Sequence, residues 1–187
     1  MANENLPPAV ISNLMRELQS LAKFAGVSGI SVRLPDDRLT TIHAEIHGPE
    51  ETPYFGGVFH CKLVLGADYP TQPPKAVFAT KIFHPNVNSD GMICVSALKK
   101  DWQPTQGLRH TLAVIRCLLI QPNPESALNE EAGRMLLEDY DEYASRARLF
   151  TKIYAAPKPA NDGSKVATAV ILEPGLQKKQ KRSIKRL

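Results

Sequence analysis

Two stretches of this chain alternate between apolar and polar residues, and this alternation constrains the fold more than any other feature. A period of two residues is typical of a strand that buries one face and leaves the other in water. The stretches cover residues 42–47 and 59–65. Their apolar positions are Ile42, Ala44, Ile46, Phe59, Cys61, Leu63 and Leu65. The pattern predicts antiparallel-type strands, followed by a short strand around residues 76–79.

Helical patterns lie on both sides of these strands. Apolar residues recur at three- and four-residue spacing over residues 8–22, and residues 108–120 read as a helix that is buried on most sides. Asn129 is expected to cap a further helix, which continues to about Tyr154 with a break near Asp141. A helix, then strands, then helices predicts an α+β fold in which helices pack on or beside one antiparallel sheet.

Basic residues are concentrated at the C-terminal end. Residues 156–187 contain eight lysines and arginines and two acidic residues, a net charge of +6. The whole chain carries +4, so by subtraction residues 1–155 carry −2. The tail begins with alanine and proline followed by small polar residues, a composition typical of a linker. The sequence therefore predicts one folded domain over residues 1–155 and a flexible basic tail over residues 156–187.

This distribution of charge argues against several classes of protein. A nucleic-acid-binding fold normally carries its positive charge on the folded surface. The basic run at residues 178–182 has no interleaved aromatic residues, so a solvated tail or a nuclear import signal explains it better than base stacking. The N-terminus lacks the features of a secretory signal, and no apolar run is long enough to span a bilayer. We expect a protein of a reducing compartment that binds neither nucleic acid nor membrane.

The three cysteines lie in different settings. Cys61 falls on the apolar face of a predicted strand and Cys117 falls inside an apolar helix, so we expect both to be small, inert core residues. Cys94 instead lies in residues 81–106, a long aperiodic segment that is still apolar and therefore typical of an ordered functional loop. The cysteine spacing fits neither a disulfide framework nor a zinc motif, and we expect no bound metal or cofactor.

A series of motifs surrounds Cys94. They lie at residues 54–59, 69–75, 82–88, 91–94, 101–102 and 122–124. A lone His-Pro-Asn motif is a weak signal, but the whole series, in this order and spacing, closely resembles ubiquitin-conjugating enzymes over about residues 6–154. Further stretches at residues 4–8, 80–87, 108–110 and 117–134 resemble the S-type branch of that family. In that branch a catalytic domain with a basic tail extends ubiquitin chains with the anaphase-promoting complex.

The resemblance implies a ubiquitin-conjugating (UBC) fold and a covalent relay. Cys94 would accept ubiquitin's C-terminus as a thioester from the activating enzyme, and a lysine amine would then attack that thioester, for which a thiol is chemically well suited. The resemblance also implies transfer to the lysine at ubiquitin's eleventh position. The implied partners are ubiquitin, the activating enzyme, which consumes the ATP, and a ligase, the anaphase-promoting complex. The implied location is the cytoplasm and the nucleus.

The residues near Cys94 have several candidate roles. His84 could act as a base but is expected to fix the loop by hydrogen bonding, together with Pro85 of the same motif. The Asn86 amide could stabilise the oxyanion or hold the loop that does so, and the sequence does not separate these roles. Trp102 is expected to be a packing anchor under the active-site loop.

Ser126 and Glu130 also have two interpretations. In the first, Ser126 caps a turn and Glu130 complements a helix dipole. In the second, which rests on the resemblance, they lie at the rim of the active site. A carboxylate there could orient or help to deprotonate the incoming lysine, whose ordinary pKa is about 10.4.

Two departures from the family pattern concern the ligase. Thr71 and Thr105 replace residues that often contact RING ligases, which favours attachment through the tail. The candidate partner-binding tail consists of Ile184, Lys185, Arg186 and Leu187. The S-type tail ends Leu-Arg-Arg-Leu, so here isoleucine and lysine stand in place of leucine and the first arginine. Lysine lacks the bidentate fork of arginine.

Two alternatives remain within the same fold. The chain could conjugate another ubiquitin-like modifier, which the sequence does not exclude. It could also be a non-catalytic binding variant, but such variants typically lack the active cysteine that Cys94 supplies here.

Overall fold

The computed structural model describes residues 6–23, 29–33, 40–100 and 102–157. Helix α1 is followed by a four-stranded sheet and then by helices α2 to α5. The helices are α1 Pro8–Lys23, α2 Val95–Lys99, α3 Gly107–Ile120, α4 Glu130–Glu138 and α5 Tyr140–Tyr154, and a 3-10 turn covers Pro124–Ser126. The strands are β1 Ile30–Arg33, β2 Thr41–His47, β3 Val58–Val64 and β4 Lys75–Phe78. The predicted α+β class is confirmed.

The sheet is an antiparallel meander in the order β1-β2-β3-β4. Ile42 lies opposite Leu63 and Ile46 opposite Phe59, and all four side chains are fully buried. The alternation of β2 and β3 was therefore a correct guide to their buried face. The short strand predicted around residues 76–79 is β4, whose start is marked by the prolines before it. Strand β1 is equally short and was not predicted, because no such signal precedes a run of only four residues.

Helices α1 and α3 cover the core and are joined at one end. Leu14 and Leu18 of α1 and Leu108 of α3 are buried. The Glu17 carboxylate on α1 accepts the backbone N–H of Arg109, at 3.1 Å, in the first turn of α3. Burial raises the pKa of Glu17, and hydrogen bonds from the α3 backbone partly offset this effect. A carboxylate at the start of α3 also suits the helix dipole.

The expectation for Cys117 was wrong. Cys117 is exposed, although it lies among apolar residues of α3. The exposed positions Arg109, Ala113, Cys117 and Ile120 follow helical spacing, so they form the outer face of α3. Helix α3 is thus amphipathic rather than buried on most sides. Apolar composition alone did not distinguish its two faces.

The two last helices have distinct caps. The Asn129 side chain accepts the backbone N–H of Ala132 at 3.1 Å, which confirms it as the N-cap of α4. Helices α4 and α5 are separated at Asp139, two residues before the predicted break. The Asp139 side chain caps α5 by accepting the backbone N–H of Glu142. Among the described helices, none has the length and apolar character needed to cross a bilayer.

Candidate active site around Cys94

The segment between β4 and α2 returns along the edge of the sheet and so presents Cys94. Backbone hydrogen bonds join Phe78 to Gly91 and Ile93 to Ala76, at 2.8 and 3.0 Å. Gly91 has a φ of +82°, and a Cβ there would collide with the Phe78 carbonyl. Glycine is therefore required at this turn, which sets where the next residues emerge.

Cys94 lies just before α2 and is 6% exposed. Its backbone N–H donates to the Asn86 carbonyl at 2.9 Å, which ties the cysteine directly to the His-Pro-Asn segment. Its Sγ atom lies 2.9 Å from the Ser96 hydroxyl. Cys94 is thus held by Asn86 through its backbone and by Ser96 through its sulfur.

His84 is fully buried and both of its ring nitrogens are engaged. Nδ1 accepts the backbone N–H of Asn86 at 3.0 Å, and Nε2 lies 2.8 Å from the Leu118 carbonyl. These partners assign a neutral ring with the proton on Nε2. Burial lowers the pKa of His84 to about 4, although the Leu118 carbonyl opposes this shift. The geometry favours a loop-fixing role over that of a base for Cys94.

The Asn86 side chain is also fully buried and is saturated with hydrogen bonds. Its Oδ1 accepts the backbone N–H of Asn123 at 2.8 Å. Its Nδ2 donates to the carbonyls of Asn123 and Ser126, at 2.6 and 3.0 Å. Both amide hydrogens are therefore in use, and donation to an oxyanion would require one of these bonds to break.

Pro85 completes the connection between the two loops. Its carbonyl accepts the backbone N–H groups of Leu128 and Asn129, at 2.7 and 2.9 Å. Together with Asn86, it binds the segment 123–129 to the loop that carries Cys94. We call this set of contacts the loop clamp: the hydrogen bonds that His84, Pro85 and Asn86 make to Leu118 and to residues 123–129.

Ser126 and Glu130 follow on from the clamp. The Ser126 carbonyl is a partner of Asn86, and its hydroxyl lies 3.4 Å from Asn123 Nδ2. Glu130 is exposed in the first turn of α4, where its charge suits the helix dipole. It also lines an open groove of about 790 Å³ together with Asn88 and Asp90. The 3-10 turn is capped by Asn123 rather than by Ser126. The helix-dipole interpretation of Glu130 agrees with its position, and its role at the rim of the active site stays a prediction, since the described lining of this groove does not include Cys94.

Trp102 contacts the connection between β3 and β4 and the start of α3. Its indole N–H donates to the Pro70 carbonyl at 3.0 Å, and its ring lies 6.2 Å from Tyr69 and 6.4 Å from His110. Trp102 therefore anchors the segment before α3 to the connection between β3 and β4.

The remaining candidates divide into exposed and undescribed residues. Thr71 and Thr105 are both exposed. The four tail residues, Ile184, Lys185, Arg186 and Leu187, lie outside the described residues.

Of the other cysteines, Cys61 is buried and its burial raises the pKa of its thiol to about 12. Such a thiol is a poor nucleophile at neutral pH.

Sequence reasoning missed three partners of the site. Asn123 makes contacts through its backbone and side chain; it belongs to the motif quoted at residues 122–124, but it was given no role of its own. The Leu118 carbonyl has no signal at all, because every residue carries one. Ser96 was not singled out. Among the described residues, no group of histidine, cysteine and acidic side chains is arranged to hold a metal ion.

Comparison with known proteins identifies the class that this fold and site define. The family model for ubiquitin-conjugating enzymes matches residues 13–151. The chain therefore belongs to the ubiquitin-conjugating enzyme family. An E2 domain of a Toxoplasma gondii ubiquitin-conjugating enzyme superposes with a TM-score of 0.70 at 33% identity, covering 77% of this chain and 98% of that one. The UBC fold is confirmed.

Individual relatives narrow the comparison. The chain is 57% identical over 152 residues to ubiquitin-conjugating enzyme E2 S of Aquarana catesbeiana, covering 81% of this chain and 72% of that protein. It is 60% identical over 158 residues to ubiquitin-conjugating enzyme E2 22 of Arabidopsis thaliana, covering 84% of this chain but only 62% of that protein. The likeness to E2 S agrees with the S-type resemblance of the sequence.

Proposed function

We propose that this protein carries ubiquitin on Cys94 as a thioester and transfers it to lysine. The thiolate attacks the carbonyl of the thioester on the activating enzyme, and the sulfur of that enzyme leaves. The amine of a lysine then attacks the new carbonyl, forming a C–N bond as the C–S bond to Cys94 breaks. The chain itself needs no cofactor for these steps, because ATP is used by the activating enzyme.

The observation that carries this proposal is the hydrogen bond that joins the Cys94 backbone to Asn86 of the loop clamp. The cysteine backbone bonds to Asn86, which in turn holds the segment that leads to Glu130. The nucleophile and the carboxylate that would meet the incoming lysine are therefore fixed relative to each other. Pre-organisation of this kind lowers the entropic barrier to a reaction between two bound groups.

His84 and Asn86 act in this proposal through the loop clamp. Asn86 maintains the loop, and direct contact with the oxyanion is the competing role. Ser126 shapes the rim through its carbonyl, and Glu130 orients the acceptor lysine from the start of α4.

The partners follow from the family and from its S-type branch. Ubiquitin, the activating enzyme and a ligase serve the reaction. We propose further that the protein extends chains through the lysine at ubiquitin's eleventh position with the anaphase-promoting complex, in the cytoplasm and nucleus. Likeness to E2 S supports this, as does the net charge of +6 over residues 156–187.

The tail would dock through Ile184, Lys185, Arg186 and Leu187. A flexible tether raises the local concentration of an attached domain to about the millimolar range. Deletion of these four residues should leave thioester formation unchanged and remove most ligase-stimulated elongation. Unchanged elongation with the purified anaphase-promoting complex would contradict this role.

A thioester assay with a panel of modifiers tests the proposed activity against its closest rival. We expect ubiquitin, ATP and the activating enzyme to give a thiol-sensitive adduct, and other ubiquitin-like proteins with their own activating enzymes to give none. Mass spectrometry of chains built from purified components then gives the linkage. Charging by another modifier alone would refute ubiquitin as the substrate.

A further inference from the structure

Ser96 contacts the Cys94 sulfur, although none of the motifs around the site includes it. Its hydroxyl oxygen lies 2.9 Å from Cys94 Sγ, within hydrogen-bonding distance. Ser96 is exposed and is the second residue of α2. Sequence reasoning assigned it no role, and the loop clamp does not include it.

The position of the hydroxyl is set by α2 rather than by chance. The Ser96 carbonyl accepts the backbone N–H of Lys100 at 3.0 Å, so its main chain belongs to the helix. Leu98, two residues further on, is 4% exposed and anchors α2 to the core. Cys94 is fixed on the other side by its bond to Asn86. The sulfur and the hydroxyl therefore meet across the first turn of α2, of which Cys94 is the N-cap residue.

We propose that the Ser96 hydroxyl is a catalytic group that donates a hydrogen bond to the Cys94 thiolate as ubiquitin leaves it. This rests on the proposed function of Cys94. During transfer, the amine nitrogen bonds to the thioester carbon and the C–S electron pair passes to Sγ. The amine loses its proton to solvent or to a base, and the products are an amide and a thiolate.

The hydrogen bond is expected to differ between the states of the reaction. A thiol and a hydroxyl can each donate to the other, but a thiolate can only accept. The sulfur of a thioester is a poor acceptor, so charging weakens the bond. The bond strengthens again as negative charge returns to Sγ. An interaction that is stronger in the transition state than in the ground state accelerates the step.

Discharge kinetics test this role. The thioester is preformed, and its transfer is followed with free lysine and with ubiquitin as acceptors. Ser96→Ala should lower kcat by about tenfold for both acceptors, the scale of one hydrogen bond to a charged group, and leave the KM for the amine unchanged. Ser96→Thr keeps the hydroxyl and should restore the rate. Ser145→Ala, an exposed change on α5, is the matched control.

The rate of alkylation gives a second readout that needs no ubiquitin. Iodoacetamide reacts with thiolates, and peptide mass spectrometry reports Cys94 and the exposed Cys117 separately. Ser96→Ala should slow the alkylation of Cys94 at neutral pH by about tenfold, the scale of one hydrogen bond to a charged group, and leave the alkylation of Cys117 unchanged. Ser96→Thr should return the Cys94 rate to that of the wild type.

Two results would overturn the proposal. One is a Cys94 alkylation rate that Ser96→Ala leaves unchanged. The other is a raised KM for only one acceptor, which would make Ser96 a contact for that acceptor instead. Because alkylation is measured without ubiquitin, a failure of Cys94 as the ubiquitin carrier would be seen separately, as an adduct that survives Cys94→Ala.

Discussion

Replacing Asn86 by alanine separates the two roles of its amide. The variant removes a side chain that is fully buried and makes three hydrogen bonds. It leaves the Asn123 N–H and the Ser126 carbonyl without this partner, whereas the Asn123 carbonyl keeps the Ser126 backbone N–H at 3.3 Å. At about 1 kcal/mol net for each hydrogen bond, Asn86→Ala should lower the free energy of unfolding by about 2–4 kcal/mol.

The loss should be localised to the segment that the clamp holds. Urea denaturation gives the free energy of unfolding, and native-state amide exchange gives the protection of each N–H group. The Asn123 amide loses its acceptor in Asn86→Ala, so its protection should fall most, followed by those of Leu128 and Asn129. Asn13→Ala, on the exposed face of α1, should change neither measurement.

The kinetic consequences differ between the two roles. If Asn86 holds the loop, both charging and discharge should slow, because the same loop positions Cys94 through the bond between the Cys94 N–H and the Asn86 carbonyl. If Asn86 donates to the oxyanion, discharge alone should fall by about 10²–10³-fold. Stability within about 0.5 kcal/mol of the wild type, intact protection of Asn123 and a defect confined to discharge would refute the loop role.

Three further predictions concern the charge and burial of single residues. Because the folded state holds the pKa of His84 near 4, well below the ordinary 6.5, the free energy of unfolding should fall by about 3 kcal/mol as pH drops from 6.5 to 4, and His84→Asn should flatten that slope in urea titrations. Cys61→Ser buries a hydroxyl and should lower the free energy of unfolding, measured by thermal denaturation, by about 1–3 kcal/mol, whereas Cys117→Ser should change it by less than about 0.5 kcal/mol. Both variants should still form the thioester. Equal losses of stability would contradict the exposure assigned to the two cysteines. Glu130→Ala should slow chain formation more than charging in single-turnover assays, with Glu138→Ala as the control. Normal chain formation by Glu130→Ala would mean that Glu130 only complements the dipole of α4.

The sequence predicted the elements whose periodicity is long enough to read. Strands β2 and β3 each show seven residues of alternation, and their buried faces were correct. Strand β1 and helix α2 have four and five residues, too few for either period to appear, and β4, also of four residues, was predicted only because prolines mark its start. Cys117 was misplaced because the apolar residues that follow it obscured the outer face of α3.

The sequence predicted the side chains of the site but not the backbone groups that bind them. The His-Pro-Asn motif and Cys94 were recognisable by their order and spacing. The partners of His84 and Asn86 are largely backbone groups of Leu118, Asn123 and Ser126, which carry no sequence signature. Their approach depends on how α3 and the segment after it pack against the loop. The partners of His84 and Asn86 therefore depend on tertiary packing, which the sequence pattern does not show.

The chemistry of the adduct at residue 94 tests the central claim most directly. Full-length wild type, Cys94→Ser and Cys94→Ala are each incubated with ubiquitin, ATP and the activating enzyme, then resolved with and without a thiol reagent. The wild-type adduct should be cleaved by thiol, that of Cys94→Ser should persist as an oxyester, and Cys94→Ala should form none. A thiol-sensitive ubiquitin adduct on Cys94→Ala would contradict the assignment of Cys94 as the nucleophile.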